Sequence, residues 1–200
     1  MNLLFIILFS LFGKSISPSP DPPGKEVFVN EVINEISDSS FSSYYLLSEA
    51  APCSFKRYQY DEWEKYGLKE DIPFFVLNEL SEQCYHNASM EEWNDSKLNH
   101  AICVTDSQAK KILDPFYDDD GMHLSRKKTR HIIKSWSAKP FNERMVFSFS
   151  RPAFTKDNEY AVMDVAFKCD SHGCGEGATY IFKNTGTRWE IAGKLLSWKN

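Results

Sequence analysis

The chain predicts an α+β fold: N-terminal helices packed on one face of a C-terminal four-stranded antiparallel meander sheet. Three observations carry that expectation. Apolar residues recur at helical spacing in several stretches up to Trp136, they alternate from Met145 onward, and the alternating runs are joined by short turns. Strands joined that tightly pair antiparallel, and one face of such a meander needs a cover that the preceding helices supply.

The first helix is signalled by Val29, Val32, Ile33 and Ile36, interleaved with Asn30, Glu31, Asn34 and Glu35. A second runs over about 72–85, with Asp71 as N-cap, Pro73 in the first turn, and Val76, Leu77, Leu80 and Cys84 on one face. A third fits 106–113, capped by Asp106 and ended before Pro115. A fourth covers 125–136 with Ile132, Ile133 and Trp136 facing inward. The strands follow. The first spans 145–155 and is interrupted near Pro152, because proline cannot donate to a ladder. The second puts Ala161, Met163, Val165, Phe167 and Cys169 on one face and Tyr160, Val162, Asp164, Ala166 and Lys168 on the other. The third covers 178–183, and a turn at 184–187 leads to a closing strand with Trp189, Ile191, Gly193 and Leu195 on one face.

Two hundred residues suit a single domain with a full core. Fifteen Phe, nine Tyr and five Trp favour sheet and large packed side chains. A net charge of −5 gives no footprint for nucleic acid. Residues 3–12 form an apolar run too short to cross a bilayer, which takes about twenty residues, and they fit the core of a signal peptide. We therefore expect a signal peptide over 1–15, a Pro-rich linker over 16–25 and one α+β domain over 26–200. Export to the periplasm or the medium follows, with no stable membrane insertion after cleavage.

An oxidising compartment makes disulfides of nearby cysteines. Cys169 and Cys174 stand five apart across a Gly-rich turn and are expected to bridge. The competing readings there are a zinc site on Cys169, His172 and Cys174, which lacks a fourth ligand, and a thiol nucleophile at Cys174 activated by His172. Cys84 and Cys103 flank a loop, so a bridge between them would leave Cys53 odd; spacing does not decide the pairing.

Asp118, Asp119, Asp120 and Gly121 mimic half a calcium loop, but Phe116 and Lys127 stand where ligands are needed, so no metal is expected. The most basic stretch follows at once. Arg126, Arg130 and Lys134 form a stripe at helical spacing, suited to an anionic partner or to a solvated face balanced by Asp118 to Asp120. Asn87 and Asn94 begin glycosylation-type triplets of the kind that arise by chance. No G-x-S-x-G or HExxH is present, and no cofactor or enzyme class is supported.

The pattern Phe149-Ser150-Arg151-Pro152-Ala153-Phe154, Lys156-Asp157, Tyr160-Ala161, Cys169 to Cys174-Gly175-x-Gly177, Gly186-x-x-Trp189-x-Ile191 and Trp198 resembles an uncharacterised family of exported Bacteroidota proteins. Trp93-Asn94-x-Ser96-Lys97-Leu98 resembles a further element of it. The resemblance implies an exported, sheet-ending domain, and the closing strands are similar to those of NTF2-like folds. The resulting expectation is a non-catalytic module that binds a small molecule or a protein, with Trp189, Tyr160 and Tyr180 as its ligand face. The alternatives are a small hydrolase or thiol enzyme using Cys174 and His172, and an inhibitor or immunity-type protein using the basic stripe.

Overall fold

The computed structural model describes residues 22–36, 43–56, 72–86, 91–116, 124–139, 141–169 and 174–199. The expected signal peptide and the linker as far as residue 21 lie outside these. The helices are α1 (Lys25–Ile36), α2 (Phe74–His86), α3 (Asp106–Leu113) and α4 (Arg126–Ser137). The strands are β1 (Tyr44–Leu47), β2 (Ala101–Val104), β3 (Val146–Phe149), β4 (Ala153–Phe154), β5 (Tyr160–Lys168), β6 (Gly175–Asn184) and β7 (Trp189–Lys199). They form one mixed sheet in the order β2-β1-β3-β5-β6-β7, with the short β4 paired to β5.

The antiparallel part matches the expected meander, and β3 and β4 are separated at Pro152 as its missing donor requires. The order "helices, then sheet" is corrected. Tyr44–Leu47 pairs in parallel with both Ala101–Val104 and Val146–Phe147, so the chain starts the sheet before α2 and returns to it twice. Parallel neighbours need long crossovers, and α2, α3 and α4 lie within these connections.

Helices also cover both faces rather than one. On one face, α1 lays Phe28, Val29, Val32 and Ile33 against Phe147, Phe149, Met163, Phe182 and Trp189. On the other, α2 packs Val76, Leu77, Leu80 and Cys84 on Val162, Ile181, Ala192 and Leu195, while α3 sets Ala109 against Val104 and Val146. A strand buried on both sides reads as a continuous apolar run, which is why Tyr160-Ala161-Val162-Met163 is buried throughout.

Two local expectations change. The N-cap of α3 is Thr105, whose hydroxyl accepts the Gln108 N–H while the Gln108 side chain accepts from the Thr105 N–H; Asp106 is the first helical residue. In β7 the pairing slips between Ile181 and Phe182, whose partners are Gly193 and Ile191. That bulge inserts one residue and reverses the alternation, so Leu195 faces α2 whereas Trp189 faces α1.

Phe28 fastens α1. Its fully buried ring meets Phe154, Phe182 and Trp189 edge-on at centroid distances of 5.1, 5.3 and 5.1 Å, the geometry aromatic quadrupoles favour. Across the sheet, the Asp164 carboxylate accepts the Ser54 N–H at 2.6 Å and the Thr179 hydroxyl, which holds the chain after β1 against the sheet. From that segment Cys53 reaches Cys84 of α2 as a disulfide, with Cα atoms 5.4 Å apart. Cys169 and Cys174 are also bonded, with Cα atoms 5.3 Å apart across the β5–β6 connection.

These contacts set two stability predictions. Phe28→Ala and Trp189→Ala should each lower the free energy of unfolding in urea by ~3–5 kcal/mol; a loss well under 1 kcal/mol would mean that the rings are not core. The Cys53–Cys84 bridge closes a loop of 31 residues and Cys169–Cys174 one of 5. Chain-entropy arguments then give about 4 and about 2 kcal/mol for replacing each pair with serine. Calorimetry of the two double variants checks the order.

Candidate functional site

The expected ligand face does not assemble. Trp189 is 4% exposed beneath α1, and Tyr180 lies on the same face, stacked on Phe182 with the Lys194 ammonium 5.3 Å above its ring. Tyr160 points to the opposite face, among the α2 contacts. Two-sided coverage has turned these three into core residues, so the sheet centre is not an open platform.

Cys174 is joined to Cys169, which removes the thiol that a Cys174/His172 nucleophile needs; His172 itself lies outside the described residues. The odd cysteine is Cys103, not Cys53. Cys84 faces the α2 side of the sheet while Cys103, on the edge strand β2, packs against the α1 side, so the sheet itself keeps them apart. Burial pushes the Cys103 thiol up, and the nearby Asp95 carboxylate adds to this, the reverse of what an activated cysteine requires. Asp118 to Gly121 also lie outside the described residues. Among those described, no three His, Cys, Asp or Glu side chains gather as a metal site, and no helix is long and apolar enough to cross a membrane.

What remains is α4, and its construction is unusual. Helix α3 follows the ordinary rules, with a capping box, Asp106 in its first turn, and Lys110 and Lys111 in its last. Helix α4 breaks the first two and keeps the third, with Lys134 in its last turn. Arg126, Lys127 and Lys128 open it with no acidic residue in the first turn, and Ser125 makes no side-chain cap bond. Cations at the positive end of a helix oppose its dipole at a cost of roughly 0.3–1 kcal/mol each.

Tertiary contacts on one side hold the helix in place. The Trp136 indole N–H donates to the Ile112 carbonyl at 3.1 Å, its ring meets Phe116 at 6.2 Å, and the Arg144 guanidinium lies 5.0 Å over it. One turn back, the Thr129 hydroxyl donates to the carbonyls of Leu124 and Ser125. The inward stripe is therefore Thr129, Ile132 and Trp136, at spacings of three and four. Ile133, expected inside, is corrected to the border of the outer face and is 47% exposed. The phase set by Thr129 was the signal that apolarity alone concealed.

Lys128, Arg130, His131 and Lys134 are all exposed; Arg130, His131 and Lys134 lie on the outer face, opposite the inward stripe, and Lys128 borders that stripe on the flank away from Ile133. Of the expected stripe, Arg130 and Lys134 are exposed on this face, and Arg126 is the first residue of the helix. None of Lys128, Arg130 and Lys134 forms an ion pair among the described residues, whereas Lys25 and Arg151 both engage Glu91, Arg188 engages Glu190 and Lys194 engages Glu176. Helix α4 contributes five positive charges and no negative one to a chain of net −5, so the remainder carries −10.

No known protein family, curated protein or solved structure matches this chain.

The cysteine geometry gives a direct check. Mass spectrometry of the native protein should find one alkylatable thiol, Cys103, and five after reduction. Because its pKa is raised, Cys103 should react slowly with iodoacetamide at neutral pH and faster as the solution turns alkaline. Rapid labelling at pH 7 would contradict the environment described.

Proposed function

We propose that this chain is an exported, non-catalytic interaction module that docks an anionic partner through α4. The observation that carries the reading is the cationic face of that helix, where Lys128, Arg130 and Lys134 pair with no carboxylate among the described residues, on a chain of net charge −5. Charges that answer no carboxylate among the described residues, set where they oppose the helix dipole, cost stability locally. Such a conflict between local rule and global fold marks a functional surface. Like charge over the rest of the chain disfavours other approaches and so orients the encounter.

Two disulfides fit an oxidising compartment. With the signal-type N-terminus and the resemblance to exported Bacteroidota proteins, they support a periplasmic or secreted setting. The disulfide at Cys174 leaves the thiol-enzyme reading without its nucleophile.

The test is retention on immobilised heparin, a sulfated polysaccharide, at pH 7 and low salt. The wild-type protein should be retained despite its net negative charge and should elute as salt rises. The triple variant Lys128→Gln/Arg130→Gln/Lys134→Gln should pass through with its circular dichroism unchanged, since all three side chains are exposed. Equal retention of both proteins would sink the assignment to α4.

A further inference from the structure

We infer that the anionic partner of α4 is the surface of a lipid bilayer, on which the helix lies flat with Ile133 seated among the headgroups. The inference rests on the docking reading above and adds the chemistry of the partner. Its first support is shape. Lys128, Arg130 and Lys134 project from the outside of a rod of 12 residues, about 18 Å long. Arg130 and Lys134 lie about 40° apart around it, and Ile133 lies about 60° beyond Arg130, so a flat anionic plane can meet these three at once while Lys128 stands on the opposite flank.

The second support is Ile133. It is 47% exposed on the boundary between the cationic face and the buried stripe of Thr129, Ile132 and Trp136. A hydrated polyanion offers an isoleucine nothing, whereas the boundary between headgroups and acyl chains offers it an apolar medium. Helices that lie in that boundary combine a Lys/Arg-rich polar face with low net hydrophobicity and a few apolar anchors. The sequence RKKTRHIIKSWS has that make-up.

The third support is the distribution of charge. An anionic leaflet attracts α4, whose sequence holds five cations and no carboxylate, more than the rest of the chain, whose charges sum to −10. Docking requires no rearrangement, because Trp136 fastens α4 to Ile112 from its other side.

Co-sedimentation with vesicles of phosphatidylcholine, with and without about a third phosphatidylglycerol, tests this. All chains compared share the same N-terminal sequence, so differences among them report α4. Wild type should bind the phosphatidylglycerol vesicles and not the neutral ones. The triple glutamine variant should lose about twenty-fivefold in partitioning, at roughly fivefold for each of Arg130 and Lys134 near the surface. Ile133→Ser should lose several-fold on vesicles and nothing on heparin, a split that electrostatic docking alone cannot produce. Heparin retention without vesicle binding would overturn the lipid assignment while keeping an anionic partner, such as an acidic protein. Equal binding to both vesicle types would also overturn it, because α4 would then not be the contact. An Ile133→Ser chain that sediments like wild type would remove Ile133 from the interface. A wild type that binds neither heparin nor vesicles would overturn the docking reading together with this one.

Discussion

The ring of Phe28, enclosed by Phe154, Phe182 and Trp189, is the contact on which the rest of the architecture depends. It clamps α1 onto β4, β6 and β7 and closes one face of the sheet. Once that face is closed, a strand such as β5 has to be apolar on both sides, and α2 and α3 have to cover the other. Aromatic residues that would make a binding platform on an open sheet become packing residues on a closed one. The proposed docking surface accordingly lies outside the sheet.

Helix α4 stands outside it. Its inner stripe is thin, and the hydrogen bond of Trp136 to Ile112 and the stacking of Arg144 do the work that a broad apolar face does elsewhere. The cations that open it oppose the dipole, and Lys128, Arg130 and Lys134 find no carboxylate among the described residues. Helix α3, just before it, has the capping box and the acidic first turn that α4 lacks. A helix held by few contacts and charged against its own dipole is weakly stabilised from within. An anionic partner would relieve that cost on binding.

The cysteines show how the sheet acts as a partition. Cys53 and Cys84 lie on the same side and pair, while Cys103, close to Cys84 in sequence, lies on the other. The Tyr44 phenol, on the strand next to Cys103, is pushed up to about 12 by burial, with the Cys103 charge adding to this. Tyr44 is thus neutral in the folded chain up to a pH at which unfolded tyrosine has ionised. It stabilises the fold fully below about pH 10 and loses that contribution as pH rises toward 12. Both groups remain protonated at neutral pH, as suits an inert apolar edge.

The amino-acid order alone determined the local features. Period and breakers located all four helices within a residue or two, except that α1 begins earlier, at Lys25. They also located the break at Pro152, the turn before Tyr160 and the hairpin near Gly186, whose positive φ of 84° suits glycine. Tertiary structure decided the rest. Tyr44–Leu47 and Ala101–Val104 are four-residue apolar runs without alternation, and their partners are more than fifty residues away, so no window along the chain reveals them. The second helical layer, the reversal of phase at the β7 bulge and the pairing of Cys53 with Cys84 share that origin. In the candidate site the cations were legible as a stripe, because charge spacing is local. That Lys128, Arg130 and Lys134 meet no carboxylate among the described residues, and that Ile133 reaches the surface, depends on which side of α4 meets Ile112 and Phe116. Only the folded chain brings that contact into being.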